Sequence, residues 1–276
     1  MSDFLVRADP ASGRVASVQL YGQELLDPAD PCADELRVNG LPLKTRLYPG
    51  ERLDNRQPEH RVRLKGERFV DHFAGWGLVV TRSMGERPYA SHPCFGVQYV
   101  LRREPADATD LPCPGPGGPP IEAPLYVDTF TLLNWNWRFW GDDTRMIFAS
   151  AHSSGPADEL GHVGYEHDTP EQCKRFMQNV WRRTYPGTLV LHGGLFYNVR
   201  SGHWLAITCR RPGLGYILNL DSAGRGLAYD FTLHAPFPPG ETLVMPEIKL
   251  YWGESVESMW AFMADYVGHY YVEPPK

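Results

Sequence analysis

The predicted fold is decided by the stretch Pro238-Pro239-Gly240-Glu241-Thr242-Leu243-Val244-Met245-Pro246-Glu247-Ile248-Lys249-Leu250-Tyr251-Trp252-Gly253-Glu254. A Pro/Gly turn precedes one extended run, a proline interrupts it, and a second extended run ends in an aromatic residue and a glycine. Proline cannot lie inside a central ladder, and it pushes the residue before it into extended geometry. We therefore expect two strands separated at Pro246 and a closing helix over 255–271, with Trp260 buried.

Extended runs separated by turn residues recur about every ten positions through most of the chain. The predicted strands are 4–8, 14–21, 36–38, 43–48, 61–65, 69–73, 77–84, 95–102, 125–136, 144–150, 188–192, 194–199, 204–209, 216–220 and 229–233. Asn39-Gly40 predicts a hairpin because type I′ turns need positive φ at both central positions. A short helix is expected at 170–180 after the N-cap Thr169. The cadence predicts a mainly β fold of two packed antiparallel sheets with a few short helices.

Length and composition favour one domain, residues 1–276, since β sandwiches of this size are ordinary. The 27 glycines and 25 prolines indicate many turns, and the richest segment, 104–120, is predicted to be an exposed loop. The net charge of −6 and the scattered cationic residues give no support to a nucleic-acid or anionic-membrane partner.

The cysteines and the N-terminus predict a cytoplasmic protein. The five cysteines are far apart and form no CxxC pair, so neither a disulfide framework nor a zinc site is expected. The first residues lack a signal-peptide pattern, and no run of about 18 apolar residues exists. Nucleotide-binding glycine motifs are also missing, so no cofactor is expected.

An aromatic cluster at 134–143 is the first candidate site. On a strand, Trp135, Trp137 and Phe139 would share one face, which is most simply a core between sheets. The opposite face and the following turn combine an aromatic plane with fixed hydrogen-bonding groups, as a sugar site requires. The substrate-binding residues predicted here are Asn136, Arg138, Trp140 and Asp143, with Asp142 as a candidate acid or base.

The second candidate is the sequence Gly161-His162-Val163-Gly164-Tyr165-Glu166-His167-Asp168, which we expect to form a loop. Its four polar side chains could transfer protons or contact a sugar, and His162 and Glu166 are predicted as catalytic and His167 as substrate-binding. The spacing is not that of a helical HExxH zinc site. A solvated loop and a divalent-cation site are the alternatives, and no metal is assigned.

His192 is the third candidate, in Leu191-His192-Gly193-Gly194 at the end of a predicted strand. The same four residues occur in aldose 1-epimerases, where the histidine contacts the sugar. A second segment, Ser91-His92-Pro93-Cys94-Phe95, is similar to the segment that carries the epimerase acid, but the two segments occur in reverse order. The epimerase roles are therefore not transferred, and a structural histidine beside a turn is the alternative.

Taken together, the tail at 238–254, the hairpin at a Ser-Gly turn and the closing helix resemble the N-terminal β-supersandwich domain of large bacterial α-galactosidases. The likeness to this galactose mutarotase-like domain is strongest over 185–271, and residues 4–27 are similar to its opening strands. In that family a (β/α)8 barrel with the catalytic aspartates follows. Because the sequence stops at Lys276, we expect no barrel and no α-galactoside hydrolysis by the family's own acids.

The resemblance and the aromatic cluster together predict a carbohydrate-active, glycoside hydrolase-like protein with a sugar or glycan on the concave face of a single β-supersandwich. Hydrolysis, epimerisation and lyase chemistry are all left open, because one fold supports many reactions. The alternative is a non-catalytic carbohydrate-binding or subunit-interaction module. Assembly into oligomers is also left open.

Overall fold

A computed structural model describes residues 3–10, 13–27, 34–38, 41–44, 60–64, 67–73, 76–88, 90, 92–104, 125–148, 150–151, 165–167, 189–190, 193–209, 216–220 and 227–271. Several predictions therefore lie outside the described residues. These are the helix at 170–180, the loop from 105 to 120, and the side chains of His162, Glu166, His167, Asp168 and His192.

The described chain is mainly β, as predicted. The strands are β1 (Phe4–Ala8), β2 (Val15–Leu20), β3 (Gln23–Glu24), β4 (Glu35–Val38), β5 (Leu41–Lys44), β6 (His60–Leu64), β7 (Glu67–Phe73), β8 (Leu78–Glu86), β9 (Cys94–Arg103), β10 (Tyr126–Leu132), β11 (Thr144–Phe148), β12 (Ser150–Ala151), β13 (Tyr165–His167), β14 (Leu189–Val190), β15 (Gly193–Asn198), β16 (Trp204–Cys209), β17 (Tyr216–Leu220), β18 (Leu227–Pro236), β19 (Thr242–Val244) and β20 (Ile248–Gly253). One helix, α1, spans Val256–Tyr271 and confirms the predicted closing helix.

The strands form antiparallel sheets of very different width. The large sheet has the order β13-β11-β15-β16-β20-β9-β8-β7-β6, with β19 also paired to β9. A five-stranded sheet has the order β17-β18-β10-β4-β5, and β1-β2-β3 form a small third sheet. Val38 pairs with Leu41, which confirms the hairpin predicted at Asn39-Gly40.

Alternating residues of the sheets bury the main hydrophobic core between them. Strand β9 contributes Val97, Tyr99 and Leu101, and β10 of the five-stranded sheet contributes Phe130 and Leu132, all almost fully buried. This period of two is the pattern of a strand with a single face toward a core. Within the described chain, no helix is long and apolar enough to cross a membrane.

A β-bulge at Pro246 divides β19 from β20. Val244 pairs with Val100 and Ile248 pairs with Val97, so three residues on one strand face two on β9. The extra residue is accommodated at the proline, which can donate no ladder hydrogen bond. The bulge reverses the alternation, so that Met245 and Ile248 both enter the core. Glu247 between them is directed away from the core.

Helix α1 covers part of the opposite face of the large sheet. Its first turn is capped by Ser255, whose side chain accepts a hydrogen bond from the Ser258 amide at 3.2 Å. Met259, Phe262 and Met263 form a second hydrophobic cluster with residues of β9, β15, β16 and β20. The expectation that Trp260 is buried is wrong, because this side chain lies one position off the covered stripe and is 47% exposed.

The predicted strand 125–136 ends early, at Leu132, and an irregular arch over 133–141 follows. Leu133, Asn136 and Phe139 have φ values of 61°, 61° and 51° in the left-handed region, which non-glycine residues seldom adopt. The arch is fixed to the segment after β3, since both Arg138 and Phe139 donate their backbone N–H to Leu25 O. Buried aromatic rings hold it from the inside: Trp137 stacks on Phe139 at 5.2 Å.

A buried polar cluster links strands of both sheets. The Asp34 carboxylate accepts hydrogen bonds from the Tyr99 hydroxyl and the Asn134 amide, and Arg82 lies 3.5 Å away. The Arg82 guanidinium also lies 5.1 Å from the centre of the Phe69 ring. Burial raises the pKa of Asp34, and Arg82 and Tyr99 oppose that shift in part.

Replacing Trp137 by Ala should lower the free energy of unfolding by about 3–5 kcal/mol, because a large ring that is 1% exposed leaves a cavity. The matched control is Trp260→Ala on the surface of α1, which we expect to stay within about 0.5 kcal/mol of the wild type. Urea denaturation measures both values. Equal losses in the two variants would contradict the assignment of Trp137 to the core.

Asp34 should give the protein a pH-dependent stability with a defined sign. Its folded-state pKa lies above the ordinary value of 3.8, so the folded state holds the proton more tightly than the unfolded state. Its contribution to the free energy of unfolding therefore falls as pH rises from about 4 through the folded pKa. Denaturation of wild type and Asp34→Asn across this range should show the difference, wild type minus variant, decreasing with pH. A difference that rises with pH would contradict the prediction.

Candidate functional site

The face of the large sheet that is turned away from the main core, called the outer face below, carries a polar cluster beside helix α1. In β9 the alternation that buries Val97 and Tyr99 in the core places Gly96 and Gln98 on the outer face. Gly96 pairs with Gly85 of β8 on one side and with Lys249 of β20 on the other. Two adjacent strands thus lack side chains at this level, and the backbone forms a flat floor.

An ion pair lies directly over this floor. The Arg87 Nε donates a hydrogen bond of 2.6 Å to Glu247 Oε1. A Cβ atom on Gly96 would lie 2.5 Å from each of those two atoms, which real contacts do not allow. The pair can therefore lie flat against the sheet only because residue 96 is a glycine.

Both partners are positioned by the backbone next to them. Arg87 follows β8 directly; its amide donates to Cys94 O at 2.7 Å, and its Nη1 donates to Gly85 O at 3.1 Å. Glu247 follows the bulge at Pro246, which directs it onto the outer face. These constraints leave few rotamers for the guanidinium and the carboxylate, so the pair is preorganised.

Lys249 completes the cluster from the next strand. Its Nζ lies 4.0 Å from Glu247 Oε2, so the carboxylate has one cation on each side. The Arg87, Glu247 and Lys249 side chains are 34%, 26% and 37% exposed, and all three are therefore open to a ligand. Gln98, on the same face, uses its amide to donate to Met245 O at 3.1 Å across the bulge.

On the side nearest helix α1, the cluster is bordered by the buried Cys94 and by the His92–Asp265 pair. Burial raises the pKa of the Cys94 thiol, while the Lys249 ammonium and a hydrogen bond with Tyr251 oppose the shift. A thiol with a raised pKa is a poor nucleophile near neutral pH. His92 Nε2 lies 3.0 Å from Asp265 Oδ2 and joins the end of the β8–β9 connection to α1. Cys94 thus acts as a small core residue under the helix.

The arch over 133–141 holds the residues that the sequence placed in a sugar site. The buried row Trp135, Trp137 and Phe139 is confirmed. The opposite row is only partly open: Arg138 is exposed, but Asn136 is 1% exposed and its amide donates to Asp27 O at 2.7 Å. Asn136 is therefore occupied in fixing the arch, because the strand predicted to expose it ends before this position. Trp140 is half-buried against the core.

The acidic turn after the arch lies at one end of the large sheet. Asp142 is exposed, and Asp143 forms a 2.9 Å ion pair with Arg200 of the β15–β16 turn. This turn lies three strands from Lys249 across the sheet and about five residues from it along the strand direction. The distance between them is about 20 Å. The acidic turn and the cluster over Gly96 are therefore separate places on the protein.

The predicted loop 161–168 is partly a strand, since Tyr165–His167 forms β13 and pairs with β11. The expectation of a loop is wrong for these three residues, because their backbone is used in the ladder. Glu166 pairs with Ile147, five residues beyond Asp142, so the two backbones are about 15 Å apart.

Metal binding finds no support among the side chains that the structure describes, which contain no group of three or more His, Cys, Asp or Glu able to hold an ion. His162 and Asp168 of the proposed cation loop are outside that part of the chain. The cation alternative at 162–168 therefore stays a prediction.

Sequence reasoning missed Arg87 and Lys249. Arg87 and Glu247 are 160 positions apart, and Arg87 belongs to no local motif. A usable signal was present in the glycines Gly85 and Gly96 inside strands of β-branched and polar residues, because glycine within a strand often marks the close approach of another group.

Comparisons with known proteins give a fold-level likeness of low similarity. No protein-family model and no curated protein matches the chain. Among solved structures, the alpha-N-acetylgalactosaminidase NagBb from Bifidobacterium bifidum in complex with Gal-NHAc-DNJ has a TM-score of 0.49 and 14% identity, covering 98% of this chain and 38% of that one. The GH36 alpha-galactosidase AgaB from Geobacillus stearothermophilus has a TM-score of 0.40 and 10% identity, covering 92% and 30%. The chain thus spans 38% of the first enzyme's length and 30% of the second's.

Gly96→Ala should displace the Arg87–Glu247 pair from the sheet with little loss of stability. The new methyl group collides with two flexible side chains, which can turn into solvent, and an exposed ion pair contributes about 0–1 kcal/mol. The matched control is Gly85→Ala, where the added Cβ would lie 3.7 Å from Arg87 Nη1, an ordinary contact. The Arg87 Nε–H resonance should lose its hydrogen-bonded shift in the first variant only. An unchanged resonance in Gly96→Ala would contradict the geometry.

Proposed function

We propose that this chain is a carbohydrate-binding β sandwich and that the sugar lies on the outer face, over Gly85 and Gly96. The observation that carries the proposal is the Arg87–Glu247 ion pair held flat on a glycine floor. The resemblance of residues 238–254 to the end of a sugar-active domain points to the same class of ligand.

Hydrogen-bonding chemistry supports a hydroxyl-bearing ligand. A guanidinium and an ammonium only donate hydrogen bonds, whereas a carboxylate only accepts them. Arg87, Lys249 and Glu247 therefore offer fixed donors and acceptors side by side, and vicinal hydroxyl groups can donate to one and accept from the other. Charge-assisted hydrogen bonds of this kind are about twice as strong as neutral ones.

The shape of the floor supports the same ligand. Because Gly85 and Gly96 pair with each other, a patch of backbone two strands wide has no Cβ atoms. The Arg87–Glu247 pair covers this patch and lies lower than it could over ordinary strands, so a flat ring can lie across the pair. Four residues along β9 from Gly96, at about 13 Å, Val100 and Val244 pair on the same face and offer apolar contact for C–H groups of an extended ligand.

Binding without catalysis is the form of the proposal that the described residues favour. A glycosidase needs two carboxyl groups about 5–10 Å apart. Among the described residues, the cluster over Gly96 contains one, Glu247, and the His92–Asp265 pair is joined to helix α1 on the other side of Cys94. Hydrolysis, epimerisation and lyase chemistry remain proposals that depend on residues such as His162 and His192.

A subunit-interaction module is the second candidate. Val256 and Trp260 lie one helical turn apart on α1 and are 36% and 47% exposed, so they form an apolar stripe on the surface. Exposed aromatic residues of this kind are enriched at protein interfaces.

The test is a binding and turnover screen by NMR with monosaccharides, aryl glycosides and uronate-containing oligosaccharides. We expect Arg87→Ala and Glu247→Ala each to weaken sugar binding at least about tenfold, since each removes a charge-assisted hydrogen bond. Anomerisation, hydrolysis and β-elimination are followed in the same spectra. Amide shifts should concentrate at Gly85, Gly96 and Lys249.

The control is Arg102→Ala, which removes an exposed arginine from the same face of β9, about 20 Å along the strand from Gly96. It should leave the affinity within about twofold. A loss in Asp142→Ala or Trp140→Ala with none in Arg87→Ala would move the site to the arch. No sugar binding at all, together with self-association that Trp260→Ala abolishes, would support the interaction module instead.

A further inference from the structure

We propose that the cluster over Gly96 selects acidic sugars, namely uronic acids, over their neutral counterparts; this inference rests on the proposed sugar-binding function. The charges carry it. Arg87 and Lys249 supply two positive charges, and Glu247, which lies between them, supplies one negative charge. Counted by themselves, these three side chains carry an excess of one positive charge.

The neighbouring charged groups are already paired elsewhere. On the helix side, His92 and Asp265 lie 3.0 Å from each other. At the other end of β9, Arg102 is 4.0 Å from Glu104. Neither pair places a second carboxylate beside Arg87 or Lys249.

Unused hydrogen-bond donors on Arg87 and Lys249 also favour an acidic ligand. Arg87 uses Nε on Glu247 and Nη1 on the carbonyl oxygens of Gly85 and Glu86, whereas its Nη2 donates to no described residue. The Lys249 ammonium is 4.0 Å from Glu247 Oε2, which is within ion-pair range but longer than a hydrogen bond. A ligand carboxylate would provide charged acceptors for these donors.

Glu247 makes the cluster suited to a sugar acid rather than to a bare anion. A sulfate or phosphate ion placed between the two cations would also meet the Glu247 carboxylate, and like charges in contact repel. A uronic acid carries one carboxylate and several hydroxyl groups. Its carboxylate can accept from Arg87 and Lys249 while a neighbouring hydroxyl donates to Glu247. A ligand of this kind satisfies all three side chains at once.

The experiment compares ligand pairs that differ only at C6. Isothermal titration calorimetry at low salt would measure D-galacturonate against D-galactose and D-glucuronate against D-glucose, with sodium sulfate as the bare anion. We expect at least one uronate to bind about tenfold or more tightly than its neutral partner, and its affinity to fall with added salt because the attraction is screened. Sulfate should bind more weakly than that uronate.

Variants of Lys249 separate charge from general packing. Lys249→Met keeps the aliphatic stem and removes the charge, so it should weaken uronate binding about tenfold more than it weakens neutral-sugar binding. Arg102→Met, the matched change on the same face, should alter neither. Thermal melts of both variants verify that they are folded.

Each remaining outcome counts against the inference. Equal or tighter binding of the neutral sugars would overturn charge selection and leave the proposed sugar site intact. Sulfate binding as tight as uronate binding would identify a plain anion site. Failure of all these sugars to bind would overturn the inference, and failure across the whole sugar panel would overturn the proposed function as well.

Discussion

The two faces of the large sheet depend on the register of β20, which lies between β9 and β16. Ile248, Leu250 and Trp252 enter the main core, and Lys249 and Tyr251 lie on the outer face. A slip of one residue would exchange the two rows and bury the Lys249 ammonium among apolar side chains. Burial of an unpaired charge is so costly that the register has no alternative near in energy. The core and the polar cluster are therefore fixed by the same pairing.

Because of the bulge at Pro246, the segment 245–248 supplies side chains to both faces of the large sheet. Without the extra residue, the alternation that exposes Val244 would continue and direct Glu247 into the core. With it, Met245 reaches the core on one side of the bulge and Ile248 on the other, and Glu247 reaches Arg87. The proline that seemed only to separate two strands thus determines which face receives the carboxylate.

Two arginine–carboxylate pairs in the protein differ in burial and in their contribution to stability. Arg82 and Asp34 are buried, hydrogen-bonded and linked to strands of both sheets, so loss of one partner would leave a buried charge. Arg87 and Glu247 are partly exposed, and a pair of that kind contributes about 0–1 kcal/mol to stability. So small a gain does not account for two strand glycines and a bulge built around it. The ligand recognition that we propose would account for them.

Local sequence patterns predicted the elements well. The bounds of β1, β16, β17 and the C-terminal end of α1 agree with those expected, because period-two alternation and turn residues are local signals. The arch was less predictable, since its left-handed residues and its hydrogen bonds to Leu25 depend on contacts more than a hundred positions away. The Arg87–Glu247 pair was missed for the same reason, since its two residues are 160 positions apart.

The covering helix explains why the cluster occupies this part of the outer face. Where α1 lies, the outer row consists of Cys94, Trp204 and Tyr251, and these residues pack against Phe262. One pleat further along β9 and β20, the row changes to Gly96 and Lys249, which the helix leaves partly open. The apolar half anchors both strands, so the backbone under the polar half is held by a packed layer directly beside it. A recognition surface that borders its own anchor loses little entropy on binding, because its groups are already ordered.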